Sequence, residues 1–161
     1  NPVNYKGEYH YRSGSTKQEL KGSALDKFLL EKQGKHWDSV PIMNVKIEEL
    51  KSETFDFYRK KGIKSNRLND DVLTDSNEIL LNNLKLTDGE YLKRAAILLF
   101  HPDPERYITN AYIKIGYFES DSDLVFQDEI HGNLIEQVEK TMDLLFTKYS
   151  TFSPKDLTHD K

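Results

Sequence analysis

The chain has 161 residues, no cysteine, and a formal net charge of −4 from 23 Lys and Arg and 27 Asp and Glu. The length fits one domain by default. The acidic balance gives no overall attraction to nucleic acid, so any such contact requires a local basic surface. The lack of cysteine excludes disulfides, thiol chemistry and Cys-ligated zinc. The longest apolar run, residues 95–100, is far shorter than a membrane span, so no membrane partner is expected, and the lack of cysteine agrees with a reducing compartment and a cytoplasmic protein.

The first predicted element is a short strand over residues 8–12, in which tyrosines alternate with His and Arg. Gly14 permits a sharp turn, and the spacing of Thr16 and Glu19 is typical of a capping box, so a helix is predicted over residues 16–33. A strand this close to the first residue has little chain before it to pair with. We therefore expect its sheet partners in a missing upstream region and regard the chain as a piece of a longer protein.

The remaining chain is predicted to be mostly helical with one β-hairpin. Residues 91–100 fit either a helix or a buried strand, and their Ala and Leu content favours a helix. Asn133 and Glu136 have the spacing of an N-terminal cap for the last helix, whose apolar residues Leu134, Val138, Met142 and Leu145 recur on one face. The predicted segments are an extended stretch over 37–45, helices over 52–61, 75–84, 91–100 and 133–149, and paired strands over 111–119 and 124–130.

These segments predict an α+β fold of four to five helices, with a β-hairpin near residues 111–130 and a short N-terminal strand. Three parts are expected: a strand–turn–helix unit over 1–34, a helical connecting domain with the hairpin over 35–149, and a flexible tail over 150–161. A winged-helix-like order is the alternative, in which the helix before the hairpin would enter a DNA groove. That helix is apolar almost throughout, so it is expected to be buried instead.

Residues 59–67 form a local basic cluster with five cations and no acidic residue. Lys and Arg neutralise phosphates, while Ser65 and Asn66 can donate to backbone oxygens, so the cluster predicts weak, sequence-independent DNA binding. The alternative is a helix C-terminus whose cations complement the helix dipole, followed by a solvated loop. The candidate binding residues are Arg59, Lys60, Lys61, Lys64 and Arg67, of which the three lysines are expected to be exposed.

A second candidate site lies at the predicted strand–turn–helix joint. Free backbone amides at a helix start, the hydroxyls of Ser15 and Thr16, and the cations of Arg12 and Lys17 would together hold a phosphate. The alternative is an ordinary joint in which the two hydroxyl side chains only cap the helix.

The sequence has no catalytic or metal-binding pattern. Its five histidines lack metal-ligand spacing, and it contains no Gly-rich phosphate loop, nucleophile elbow or protein-kinase signature. We therefore expect neither a cofactor nor hydrolytic activity in this chain. Trp37 and the aromatic residues of the hairpin are expected in the core rather than as base-stacking platforms.

The octet over residues 9–16, Tyr-His-Tyr-Arg-Ser-Gly-Ser-Thr, resembles the closing motif of the Schlafen/Alba-type DNA-binding domain, also called the divergent AAA domain. Further stretches fit the region downstream of that motif, in order, and the resemblance covers residues 2 to about 146. Arg94 departs from the small polar residue usual in that family, and His101 departs from its usual Gly. The matching stretches are 37–41, 84–89 leading into 95–100, and 132–137.

The resemblance implies a transcriptional regulator related to an ATP-dependent DNA helicase. The family's main nucleic-acid-binding core and its ATP-binding region lie outside this chain, so ATP is implied only for the full-length protein. The first hypothesis is a non-catalytic segment that contributes to DNA binding through its basic clusters. The alternative is a structural or dimerisation module, forming a homodimer, that links the nucleic-acid-binding core to the ATP-binding region.

Overall fold

The computed structural model describes residues 2–149 and confirms the α+β class, with five α-helices and three small antiparallel sheets among those residues. The expected tail, residues 150–161, lies outside the described residues. The chain divides into two compact units, an N-terminal unit over Asn1–Val40 and a main unit over Pro41–Lys161. Within residues 2–149, no helix has the length and apolar content needed to cross a membrane.

The N-terminal unit is a three-stranded antiparallel sheet followed by one helix. Its elements are β1 (Val3–Tyr5), β2 (Glu8–Ser13), β3 (Thr16–Glu19) and α1 (Gly22–Lys32). The predicted strand is present as β2, but the expectation of upstream partners is wrong, because β2 pairs with β1 on one side and β3 on the other. Lys6 and Gly7, with φ angles of 53° and 87°, reverse the chain between β1 and β2.

The predicted helix over residues 16–33 is wrong at its start. Thr16–Glu19 form a strand instead of a first helical turn. Gly14, with φ of 62°, allows a tight turn that places this segment beside β2. β3 is an edge strand that pairs with β2 on one side, so the two residues of the supposed capping box have no helix terminus to cap, and α1 begins only at Gly22.

The N-terminal unit has little core of its own, since none of residues 2–40 is buried. An edge-to-face contact joins Tyr9 to Phe28, with ring centroids 5.3 Å apart. Trp37, predicted to be in the core, is 50% exposed and begins a 3₁₀ turn within the stretch predicted to be extended. Most side chains of this unit are therefore accessible to a ligand.

The core of the main unit includes the contact between α2 (Ser52–Lys64) and α4 (Arg94–Phe100). Phe55 and Phe100 are fully buried and stack with ring centroids 4.1 Å apart. A second sheet precedes α4, in the order β4 (Pro41–Ile42), β6 (Tyr91–Lys93), β5 (Thr87–Asp88). The helix predicted over residues 91–100 is therefore correct only from Arg94 onward, because the first three residues pair as a strand.

Helix α2 is longer than predicted. It continues past residue 61 and through Gly62 to Lys64. A Cβ at Gly62 would lie 2.3 Å from Leu68 Cδ1, so the glycine makes room for the segment that returns after the helix. This residue is therefore used for close packing rather than as a helix stop.

Helix α3 (Asn77–Asn83) begins later than predicted. Its cap is Ser76, whose hydroxyl accepts a hydrogen bond from the Ile79 amide at 3.2 Å. Ile79 lies towards solvent, where it is 46% exposed. Leu80 and Leu81 are the residues of this helix that are buried.

The predicted hairpin and the cap of the last helix are confirmed. The hairpin consists of β7 (Ile113–Ser120) and β8 (Asp123–Ile130). Helix α5 (Leu134–Leu144) follows and continues into a π-helical turn over Leu145–Tyr149. Asn133 Oδ1 accepts a hydrogen bond from the Glu136 amide at 3.0 Å, as the cap spacing predicts.

The apolar face of α5 lies towards solvent. Val138 is 57% exposed and Met142 is 46% exposed. The helix is instead anchored by the buried Gln137, whose amide nitrogen donates to the carbonyl oxygens of Ala111 and Gly132, both at 2.6 Å. Apolar periodicity thus identifies a face of the helix without identifying what the face contacts.

Candidate nucleic-acid interface

A groove of about 1260 Å³ lies in the N-terminal unit between parts of its sheet and α1. It brings together cations and tyrosines, with Glu31 as its one carboxylate. This surface is called the N-terminal groove below. Its charged and aromatic lining residues are Tyr5, Tyr9, His10, Tyr11, Arg12, Lys17, Lys27, Phe28, Glu31 and Lys32.

The site predicted at the strand–turn–helix joint is correct in part and wrong in part. Arg12 and Lys17 lie directly opposite each other across β2 and β3, and both line the groove. Ser15 lies in the turn between these strands, and Thr16 pairs with Ser13 as the first residue of β3. Because no helix starts there, the expected combination of free helix amides and hydroxyl caps for a phosphate does not exist.

Two tyrosines of the groove lie close to lysine ammonium groups. Lys17 Nζ is 5.5 Å from the centre of the Tyr5 ring, and Lys32 Nζ is 5.4 Å from the centre of the Tyr9 ring. A hydrogen bond with Asn4, followed by the hydrogen bond and charge of Lys32, lowers the pKa of the Tyr9 phenol. The strand register places Tyr5, Arg12 and Lys17 on one face of the sheet and Tyr9 on the other, so these two contacts lie on opposite faces.

Sequence reasoning missed the residues of α1 that complete the groove. Lys27 and Lys32 line it together with Phe28, from one side of the helix. Glu31 is 3.8 Å from Lys27 Nζ, so the single carboxylate of the groove is partly neutralised. Helical spacing of these residues was visible in the sequence, but their position beside β2 depends on the sheet, which was not predicted.

Charge is unevenly divided along the chain. Residues 1–40 contain seven Lys and Arg against five Asp and Glu, while residues 41–161 contain sixteen against twenty-two. The acidic net charge therefore comes from the main unit, and the segment that carries the groove is basic. The other carboxylates on the sheet are engaged, since Glu19 is 2.6 Å from Lys21 Nζ and Glu8 is 3.2 Å from His10 Nε2.

In the predicted basic cluster over residues 59–67, Arg59 is not available to a ligand. Arg59 is only 5% exposed, and its guanidinium donates to the carbonyl oxygens of Val72 at 3.1 Å and Asp75 at 3.0 Å. It also donates to Asn77 Oδ1 at 2.9 Å. The proposed DNA contact by Arg59 is therefore wrong, because its donors satisfy the chain between α2 and α3.

The rest of the cluster is exposed, as predicted for its lysines. Lys61 is 3.3 Å from Glu139 Oε1 and lies 5.0 Å from the ring centre of Phe57, so it is already partnered. Lys60, Lys64 and Arg67 have no carboxylate partner within residues 2–149. These three residues are called the basic patch below.

Within residues 2–149, no three His, Asp or Glu side chains lie close enough together to hold a metal ion. No protein-family model, curated protein or solved structure matches the chain. The functional conclusion therefore depends on the charge and geometry of the N-terminal groove and the basic patch.

Proposed function

We propose that the chain is a non-catalytic, DNA-binding part of a transcriptional regulator of the Schlafen/Alba type, and that its N-terminal groove contacts the DNA backbone. The observation that carries the proposal is the composition of the groove. Its lining includes four Lys or Arg side chains and one carboxylate, with Arg12 and Lys17 together on one face of the sheet, in a chain that is acidic overall. Such a local concentration of cations is the usual electrostatic footprint of a phosphate-binding surface.

The pairing of Arg12 with Lys17 supports an anionic ligand. Like charges directly opposite on neighbouring strands repel each other, which makes this pair unfavourable in the free protein. Within residues 2–149, the Arg12 side chain makes neither an ion pair nor a hydrogen bond. A phosphate placed between the two side chains would replace this repulsion with two charge-assisted contacts.

The basic patch is proposed as a secondary contact. Its lysines, Lys60 and Lys64, are four residues apart on α2 and so lie on the same side of the helix. Arg67 follows in the loop after the helix. These contacts would be weak and independent of DNA sequence, because exposed lysines approach phosphates without reading base edges.

Anisotropy with a fluorescently labelled DNA duplex of mixed sequence, at about 50 mM salt, tests the proposal. The variant R12Q/K17Q is expected to bind about tenfold or more weakly than wild type, since two charged contacts are lost. The matched control K46Q/K85Q removes two exposed lysines outside both surfaces and is expected to bind within about twofold of wild type. Equal affinity for wild type and R12Q/K17Q would disprove the role of the groove.

A second candidate function is a structural or dimerisation module. The observation that favours it is the apolar stripe on α5, where Leu134, Val138, Met142 and Leu145 are all more than a third exposed. Patches of this kind often mark protein contacts. Light scattering tests it: a dimer that dissociates in V138E but persists in the control E139Q would favour this function over DNA binding.

A further inference from the structure

We infer that β3 pairs edge to edge with β3 of a second copy of this chain, in an antiparallel register centred on Gln18. Within residues 2–149, β3 is an edge strand that pairs with β2 on one side only. All four of its residues are exposed, and it contains no proline, glycine or bulge that would block pairing with another strand. Its outer edge is therefore open to strand addition.

The hydrogen bonds of β3 show which of its backbone groups point outward. The amide of Leu20, the residue after the strand, donates to the Tyr9 carbonyl oxygen of β2 at 2.7 Å. Backbone groups alternate in direction along an antiparallel strand, so those of Gln18 also point towards β2, whereas those of Lys17 and Glu19 point away from it. The outer edge of β3 therefore offers the N–H and C=O groups of two residues to another strand.

A twofold axis beside Gln18 joins two such edges in matching register. It places Lys17 of each copy opposite Glu19 of the other, so the outward groups of both residues exchange hydrogen bonds, and their opposite charges lie on the same face and attract. An axis beside Lys17 or Glu19 would put like charges opposite each other, and a shift by one residue would set outward groups against inward ones. In a single copy Glu19 lies 2.6 Å from Lys21 Nζ, but the Lys21 side chain is 73% exposed, so that pair contributes little.

The opposite edge of the same sheet is poorly suited to pairing. Tyr9 directs its carbonyl group to Leu20, so its partner Asn4 in β1 points its own groups outward, and in this strand of three residues it is the only one that does. Pro2 occupies the next outward position and has no N–H to donate. Strand addition is therefore assigned to β3, where it would extend a sheet whose unit has no buried residue over 2–40.

A single introduced cysteine tests the register, because the chain contains no other. In the inferred pairing Gln18 faces its own counterpart as a non-hydrogen-bonded pair, with Cα atoms about 4.5 Å apart, a separation that suits a disulfide. Under mild oxidation Q18C is expected to form a covalent dimer in non-reducing electrophoresis. The control S122C places a thiol in the exposed turn between β7 and β8 and is expected to stay mostly monomeric. Equal crosslinking of the two variants would overturn the inference.

Charge exchange tests the same pairing by sedimentation equilibrium of the whole chain, from micromolar to millimolar concentration. Wild type is expected to dimerise, and K17E and E19K are each expected to weaken dimerisation about fivefold or more, because two attractive pairs become repulsive. An equimolar mixture of these variants is expected to restore dimers, since each introduced charge then meets its opposite. Wild type or a mixture that stays monomeric throughout would overturn the inference. A dimer lost in V138E but kept in K17E would also overturn it and would assign the contact to α5.

Discussion

Arg12 on β2 and Lys17 on β3 lie directly opposite each other in an antiparallel register. Like charges that face each other across two strands repel, and under the proposed function a bound phosphate would offset this repulsion. We therefore predict that R12Q stabilises the free chain by roughly 0.2 to 1 kcal/mol, the usual scale of one cross-strand pair, and at the same time weakens nucleic-acid binding. Urea unfolding at low salt and anisotropy on the same preparation measure the two effects. A variant that loses stability and affinity together would indicate that Arg12 supports the sheet instead.

The buried guanidinium of Arg59 is predicted to be structural. R59M leaves the carbonyl oxygens of Val72 and Asp75 without their donor, so it is expected to lower the free energy of unfolding by about 3 kcal/mol. The neighbouring exposed Lys60 is the control, and K60Q is expected to change stability by less than about 0.5 kcal/mol. Urea unfolding followed by far-UV circular dichroism measures both. If R59M were as stable as wild type but did not bind DNA, Arg59 would be a binding residue rather than a structural one.

Because Leu68 lies so close to Gly62, we predict that G62A changes the stability in one direction in wild type and in the other, or not at all, in the L68A variant. G62A places a methyl group 2.3 Å from Leu68 Cδ1, and overpacking of this kind costs about 1–3 kcal/mol. The helix propensity of alanine, up to about 1 kcal/mol better than glycine, offsets part of that cost. In the L68A background the clash is absent, so G62A is expected to be neutral or stabilising. A double-mutant cycle by urea unfolding measures the difference, and equal effects of G62A in both backgrounds would contradict the packing role of Gly62.

Ion pairs on the hairpin predict a loss of stability in acid. Hydrogen bonds from Lys148 and Tyr149 lower the pKa of Asp128, and a hydrogen bond from Lys114 lowers the pKa of Glu129. A carboxyl whose pKa is lower in the folded state stabilises the fold above its unfolded pKa. That contribution disappears as the pH falls through the folded value, so stability should decline between about pH 5 and pH 2.

The variant D128N tests this assignment, because an amide cannot titrate. Its unfolding free energy is expected to be lower than that of wild type at neutral pH and to fall less steeply on acidification. Exposed Asp121, in the turn between β7 and β8, has no ion pair or side-chain hydrogen bond within residues 2–149, so D121N provides the control and should keep the wild-type slope. Identical slopes for D128N and wild type would show that Asp128 does not contribute to the acid transition.

Helices and strands that depend on the pattern of neighbouring residues were predictable from the sequence. Those that depend on pairing with another segment were not. The hairpin follows from alternation over residues 111–130, and the start of α5 follows from the Asn133 cap. The supposed capping box at Thr16 failed because Thr16–Glu19 form a strand instead. The sequence of residues 16–19 fits both a helix start and a strand, and it is pairing with β2 that makes them a strand.

The candidate site was predictable to a similar extent. Arg12 and Lys17 were identified from their sequence context, although the helix start proposed beside them does not exist. Arg59 was assigned to a surface because its neighbours are cations, whereas its acceptors lie 13 to 18 residues further along the chain. Tyr5 joins Arg12 and Lys17 on one face of the sheet only through strand pairing, which no spacing rule in the sequence encodes.

The salt dependence of DNA binding tests the central claim most directly. Plotting log affinity against log salt for wild type, R12Q/K17Q and the patch variant K60Q/K64Q counts the phosphates that each pair engages. Removing two phosphate contacts should reduce the slope by about 1.4 for a single strand or about 1.8 for a duplex. We predict that R12Q/K17Q shows this reduction and that K60Q/K64Q shows a smaller one. An unchanged slope and affinity for R12Q/K17Q would contradict the assignment of the N-terminal groove as the nucleic-acid interface.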